Sequence, residues 1–257
     1  MINCKNCNTQ LDTKSEFCNT CGGKVIRNRL TFRNLFEHLS ETFFNYDNKL
    51  LRTFIDLFKN PEVVIDGYIS GIRKRYVNPI SYMGIALTLS GVTFFVMKKM
   101  QLDMNFDVFN QGINDDFQSK MKNLTSEYAS FMFLSYIPIF VISSWLMLQK
   151  YNITERIVTF TYAMAQFSLS VFIPSILFIL FAPSHYMNYS LFSLLFLVLY
   201  LTWLMYKTTR YKGVEFATQL FVFLFVSGSV FMIYSIGLIV IGLLTGEFSF
   251  QDFVPKQ

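Results

Sequence analysis

Phe216-Ala-Thr-Gln-Leu-Phe-Val-Phe-Leu-Phe-Val-Ser-Gly-Ser-Val-Phe-Met-Ile-Tyr-Ser-Ile-Gly-Leu-Ile-Val-Ile-Gly-Leu-Leu244 contains no charged residue. Crossing a bilayer as a helix takes about 20 predominantly apolar residues, and this stretch exceeds that. Four stretches of the same kind lie upstream: Ile80 to Met97, Ala129 to Leu148, Ile157 to Phe181 and Tyr189 to Tyr206. No period-2 alternation marks an outer-membrane barrel. The sequence predicts an α-helical polytopic membrane protein with five transmembrane helices (80–97, 129–148, 157–181, 189–206, 216–244).

Composition agrees. Of 257 residues, 53% are hydrophobic and only 15% charged, against about 25% charged in soluble domains. Mean hydropathy is +0.38. A soluble globular enzyme, a disordered chain and a nucleic-acid-binding domain are excluded on these grounds.

Basic residues set the orientation, since Lys and Arg stay on the cytoplasmic side. With the N-terminus inside, inner segments hold 17 of the 22 Lys and Arg residues, and outer segments hold 5. The expectation is a cytoplasmic N-terminus and an external C-terminus in the cell (inner or plasma) membrane. Residues 1–29 lack an apolar signal region, so the first span is expected to act as an uncleaved targeting signal.

The four cysteines form two CxxC pairs, Cys4-Lys-Asn-Cys7 and Cys18-Asn-Thr-Cys21. Two such pairs suit one tetrahedral zinc held by Cys4, Cys7, Cys18 and Cys21. A head this small has no room for a core, so a bound metal would supply its folding energy. Redox chemistry at a single CxxC, or a pair of disulfides, are the competing readings. Residues 1–29 are therefore expected to form a cytoplasmic zinc ribbon.

Residues 30–79 carry short apolar stripes: Phe32, Leu35, Phe36, Leu39 and Phe43, then Leu50, Leu51, Phe54, Ile55 and Phe58. Pro61 suits the first turn of a further helix carrying Val63, Val64 and Tyr68. These amphipathic juxtamembrane helices are too short to span. They are expected to lie on the bilayer, pack on the bundle, or offer a groove to a partner.

The order Cys4-x2-Cys7, Cys18-x2-Cys21-Gly22, Arg29-Leu30-Thr31-Phe32, Leu51-x-Thr53, Pro61, Gly71-x-Arg73-x-Arg75-Tyr76-x-x-Pro79 resembles an uncharacterised bacterial membrane family, domain-of-unknown-function family 3667. The resemblance covers roughly residues 1–100. It implies a zinc-ribbon head on an integral membrane domain in the bacterial inner membrane, and no established activity. Gly23 departs from the polar residue expected after Gly22.

Arg73, Lys74 and Arg75 have two readings: topogenic charge beside a first span, or contact with a lipid headgroup or phosphate. The spans hold no ionisable residue, which removes support for intramembrane proteolysis and proton-coupled transport. Gln166 is their candidate polar site, either as an interhelical hydrogen bond or as a solute-lining residue. Pro138 and Pro174 could free backbone carbonyls. Gly228, Gly237 and Gly242 are expected to permit close helix packing.

Residues 80–244 would thus be the transmembrane domain and residues 245–257 a tail. No catalytic constellation is visible, so the function expected is a non-enzymatic membrane adaptor or regulator. Its zinc ribbon would recruit a cytoplasmic protein partner, with the lipid bilayer as its other contact and nucleic acid as none. A transporter or channel-like protein for a small or lipidic solute is the alternative.

Overall fold

A computed structural model describes residues 1–23, 25, 49–100, 115–246 and 248–249. The first juxtamembrane stripe (residues 32–43), most of the outer loop and the tail beyond residue 249 lie outside the described residues. The chain divides into two units, Met1–Asp47 and Asn48–Gln257.

In the first unit, β1 (Ile2–Asn3) and β2 (Gln10–Leu11) pair antiparallel, with Ile2 opposite Leu11. Leu11, Cys4 and Cys18 form its small buried centre, flanked by Ile2 and Val25. Three buried side chains cannot hold a domain together unaided.

The second unit is helical: α1 (residues 49–59), α2 (Pro61–Ile69), α3 (Pro79–Lys99), α4 (Asp115–Ser143), α5 (Ile153–Phe181), α6 (Tyr186–Thr208) and α7 (Gly213–Thr245). A 3-10 turn at Pro183–His185 joins α5 to α6. The helix starts follow local chemistry. Pro79 occupies the first turn of α3, where a missing N–H costs nothing, and the Asn78 side chain accepts from Ser81 N–H at 2.8 Å. At α5, Asn152 and Glu155 cap each other's backbone N–H, both at 2.9 Å, as a capping box does.

Among the described residues, four helices are long and apolar enough to cross a membrane: α3, α5, α6 together with its preceding 3-10 turn, and α7. Their polar end turns carry them beyond the lengths read from hydropathy. The stretch expected to be helical over 129–148 stops instead at Ser143, leaving a shorter apolar helix, Ser130–Ser143, at the end of α4. Ser143 and Ser144 turn their hydroxyls onto the carbonyls of Ile139 and Val141, which competes with the backbone ladder. Residues 144–150 then form turns that bury Met147 and Leu148.

Contacts at the two ends fix the course of the chain. At one end, Lys150 meets Asp66 at 3.3 Å and Lys207 meets Glu62 at 4.0 Å. The α4–α5 and α6–α7 connections therefore both sit beside α2. At the other end, Met97 of α3 and Ile179 of α5 share a cluster with Tyr186 of α6, and Phe117 of α4 stacks near Phe248. The five long helices thus alternate in direction.

Helix α5 is the hub, packing against α2, α3, α4 and α6 and burying Phe160, Tyr162, Ala163, Met164 and Ala165. By contrast α7 packs chiefly on α4 and exposes Phe221, Phe225, Ile233 and Leu244. A soluble monomer rarely leaves so continuous an apolar surface bare; lipid covers it without cost. The glycine expectation needs correction here. Gly228 and Gly237 face open space, whereas a Cβ on Gly242 would lie 2.3 Å from the Phe248 ring. Gly242 admits the ring of the segment after α7, not a neighbouring helix.

Helices α1 and α2 insert into the bundle, burying Thr53, Leu57, Val64 and Ile65 completely. The bundle-packing alternative describes α1 and α2, and area removed from water or headgroups favours it. Leu57→Ala is expected to destabilise the helical unit by about 2–5 kcal/mol. Ile72→Ala, at a position 53% exposed, is expected to change it by less than about 0.5 kcal/mol. Thermal unfolding in detergent measures both.

Candidate functional site

The cysteine head is built from two knuckles of one backbone design. In the first, Cys4 N–H donates to Thr9 O at 2.9 Å and Asn8 N–H donates to Cys4 O at 2.8 Å. In the second, Cys18 N–H donates to Gly23 O at 2.8 Å and Gly22 N–H to Cys18 O at 2.9 Å. The residue following each CxxC is left-handed: Asn8 at φ 58° and Gly22 at φ 69°. Glycine and asparagine are the residues that adopt that conformation at least cost. Each knuckle therefore turns its two sulfurs to the same side.

All four Sγ atoms lie within 4.8 Å of one another. Cys4 and Cys21 are 3.7 Å apart, and Cys7 and Cys18 are 3.5 Å apart. Four sulfurs at about 2.3 Å from a tetrahedral ion sit about 3.8 Å from each other. The cluster has the dimensions to hold one metal ion. Cys4 and Cys18 are buried, Cys7 and Cys21 exposed.

The surroundings favour thiolate at the exposed pair, Cys7 and Cys21, while the Cys4 thiol pKa is raised. The Cys21 thiol is pushed down to about 6, first by the Asn6 side chain and then by the Gly23 backbone N–H. Cys7 is lowered by the Thr9 hydroxyl, at 3.2 Å, and the Thr9 backbone N–H. A Cβ at Gly23 would meet Cys21 Sγ at 3.4 Å, ordinary contact, so the Gly23 departure has no structural explanation. Sequence reading paired the two CxxC turns but did not single out Asn8, directly after the first, as the counterpart of Gly22 after the second.

The other sequence candidates lie in the helical unit. Arg73, Lys74 and Arg75 are exposed. Arg73 stacks over Tyr68 at 5.5 Å and Arg75 over Tyr76 at 5.3 Å. Lys207 over Trp203 and Lys212 over Tyr206 repeat the pattern at the same end. Basic side chains leaning on aromatic rings are the composition of a membrane–water interface.

Gln166 is fully buried and both ends of its amide are engaged. Its Oε1 accepts from the Tyr82 hydroxyl, and its Nε2 donates to Phe54 O of α1 at 3.0 Å. The amide ties α5 to α3 and α1. Further donors reach α1 that sequence reading did not find: Tyr200 to Leu57 O at 3.4 Å and Trp203 Nε1 to Phe58 O at 3.0 Å. Val77 N–H donates to Thr53 Oγ1 at 3.0 Å, and Tyr162 donates to Val77 O at 2.6 Å. Tyr76 donates to Asp56 at 2.8 Å, and burial, then that carboxylate, raises the phenol's pKa.

Residues 47–91 match the model of a family described as protein of unknown function (DUF3667), which supports the chain's membership of that family. The matched segment comprises α1, α2 and the first part of α3; the cysteine head precedes it. No curated protein and no solved structure matches the chain.

In the full chain, removing metal with a chelator should unfold the head and open Cys4, Cys7, Cys18 and Cys21 to alkylation at similar rates, whereas bound metal should protect all four. Time-resolved peptide mass spectrometry with and without the chelator reads both.

Proposed function

We propose that this member of a family of unknown function is a membrane-anchored adaptor, in which one structural zinc shapes the head and the helical unit holds it at the membrane. The observation that carries this reading is the sulfur cluster presented by two like knuckles. Four thiolates fill a tetrahedral shell and leave no position for substrate, so the metal serves structure and the protein is read as non-enzymatic. Zinc is preferred to iron because the head is read as cytoplasmic and needs no redox partner there. Its role would be to present a fixed surface to a cytoplasmic protein.

The proposed topology is five crossings of a bacterial inner membrane with the N-terminus inside and the C-terminus outside. It is supported by the alternating helix directions and by one end of the helical unit holding Arg73, Arg75, Lys150 and Lys207 together. The short apolar length of α4 is compatible with crossing where neighbouring helices shield its polar turns.

Metal analysis of the purified full chain should give close to one zinc per chain and no iron. Cys18→Ser should abolish it while the helical unit still inserts. Proximity labelling from the N-terminus should recover a cytoplasmic protein from wild type and lose it in Cys18→Ser; an unchanged labelled set would refute the adaptor role. Single reporter cysteines at Asn114, Thr154, Asn188 and Lys256, in a cysteine-free background, should label from outside, inside, outside and outside. External labelling at Thr154 would overturn the topology.

A further inference from the structure

A half-open cavity of about 170 Å³ lies among α3, α5 and α6, with Phe133 of α4 at its edge. One face of α5 lines it with Ser168, Val171 and Ser175, α3 adds Ser90 and Thr93, and α6 adds Tyr189 and Ser193. Phe94, Phe167 and Phe172 supply apolar wall. No Asp, Glu, Lys, Arg or His lines the cavity. In a low-dielectric site a charged ligand would go unpaired, so its ligand is neutral.

Hydroxyl bookkeeping narrows the class. Ser168 Oγ lies 3.3 Å from Ala86 O and 2.7 Å from Ser90 Oγ, and either serine can donate across the shorter pair. Ser175 donates to the Tyr189 hydroxyl at 3.1 Å, and Tyr189 donates to Val171 O at 2.9 Å. Ser193, Ser190 and Thr93 donate to backbone carbonyls one helical turn back. These last protons are committed to protein acceptors. A hydroxyl also carries two acceptor lone pairs, and the Tyr186 hydroxyl, which lines the cavity too, contacts Ser175. The site therefore offers lone pairs together with hydroxyl protons, and a neutral group that both donates and accepts satisfies it.

We infer that this cavity binds the hydroxyl end of a neutral alcohol. Ligand pockets for whole small molecules usually measure about 300–1,000 Å³. A cavity of about 170 Å³ takes one end of a long molecule or the whole of a short one. A long-chain alcohol or acylglycerol in the bilayer and a free short alcohol present the same chemistry. The inference is independent of the adaptor reading and of the metal.

The test uses the purified full chain in nanodiscs, with a diazirine analogue of oleyl alcohol as the photoprobe and peptide mapping of its adducts. Adducts should concentrate on α3, α5 and α6 around the cavity. Oleyl alcohol should compete about tenfold better than methyl oleate, which has the same chain but no donor, the difference one hydrogen bond makes. Sodium oleate should also compete poorly. Competition by glycerol or butanol, without competition by oleyl alcohol, would identify the free short alcohol as the ligand source and still support the donor requirement. Ser90→Ala keeps the space and removes an acceptor; it should shrink the preference for oleyl alcohol over methyl oleate severalfold. Ser193→Phe should abolish cavity adducts, and if that variant misfolds Ser90→Ala decides alone. Equal competition by methyl oleate on the wild type, or adducts as dense on the exposed face of α7, would overturn the inference.

Discussion

Helix α1 brings a backbone C-terminus into apolar surroundings, and the helical unit is arranged around satisfying it. The last carbonyls of any helix lack intrahelical partners. Burying one unpaired costs about 1–3 kcal/mol. Asn60 N–H, Tyr200 and Trp203 meet the carbonyls of Asp56, Leu57 and Phe58, and Gln166 reaches Phe54. Because these donors sit on α5 and α6, the position of α1 is fixed by helices more than 100 residues away in sequence. Removing α1 would strand buried donors on both helices. For that reason α1 and α2 are better regarded as part of the bundle than as appendages to it.

Much of this was legible in sequence. Apolar length identified α3, α5, α6 and α7, since a lipid-facing helix must be apolar over most of its surface. Asn78-Pro79 and Asn152-x-x-Glu155 set two helix starts by local chemistry that apolar length alone did not register. Helix α4 was misjudged at its end because hydropathy does not see serine hydroxyls turning back onto carbonyls at Ser143 and Ser144. The partners of Gln166 were not legible either. Tyr82 and Phe54 are remote in sequence, and a tyrosine in a hydrophobic stretch is read by composition as an interfacial residue. Only packing shows that its hydroxyl points inward.

The cysteine head follows the opposite logic. The grouping of its four sulfurs was legible from spacing, because two CxxC turns 11 residues apart bring them within reach of one another. Its surroundings were legible only in part: Asn8 stands where Gly22 does, so the second knuckle repeats the first. The two units also differ in what stabilises them. The helical unit buries large aromatic and aliphatic side chains, whereas the head buries Cys4, Leu11 and Cys18. Under the zinc reading, the stability of the head rests on the metal and that of the helical unit does not.

The hydroxyls inside the helical unit divide into two groups with different consequences. Those of Thr53, Tyr82 and Tyr162 bind groups on other elements, so they fix one arrangement of α1, α3 and α5. Those of Thr93, Ser190 and Ser193 return to their own helices and fix nothing between elements. A serine that bonds its own helix is neutralised as a donor while its lone pairs stay outward. Near α1 such lone pairs find protein partners; between α3 and α6 they line open space. The same residue type thus closes one end of the bundle and leaves a hydroxyl-lined gap toward the other.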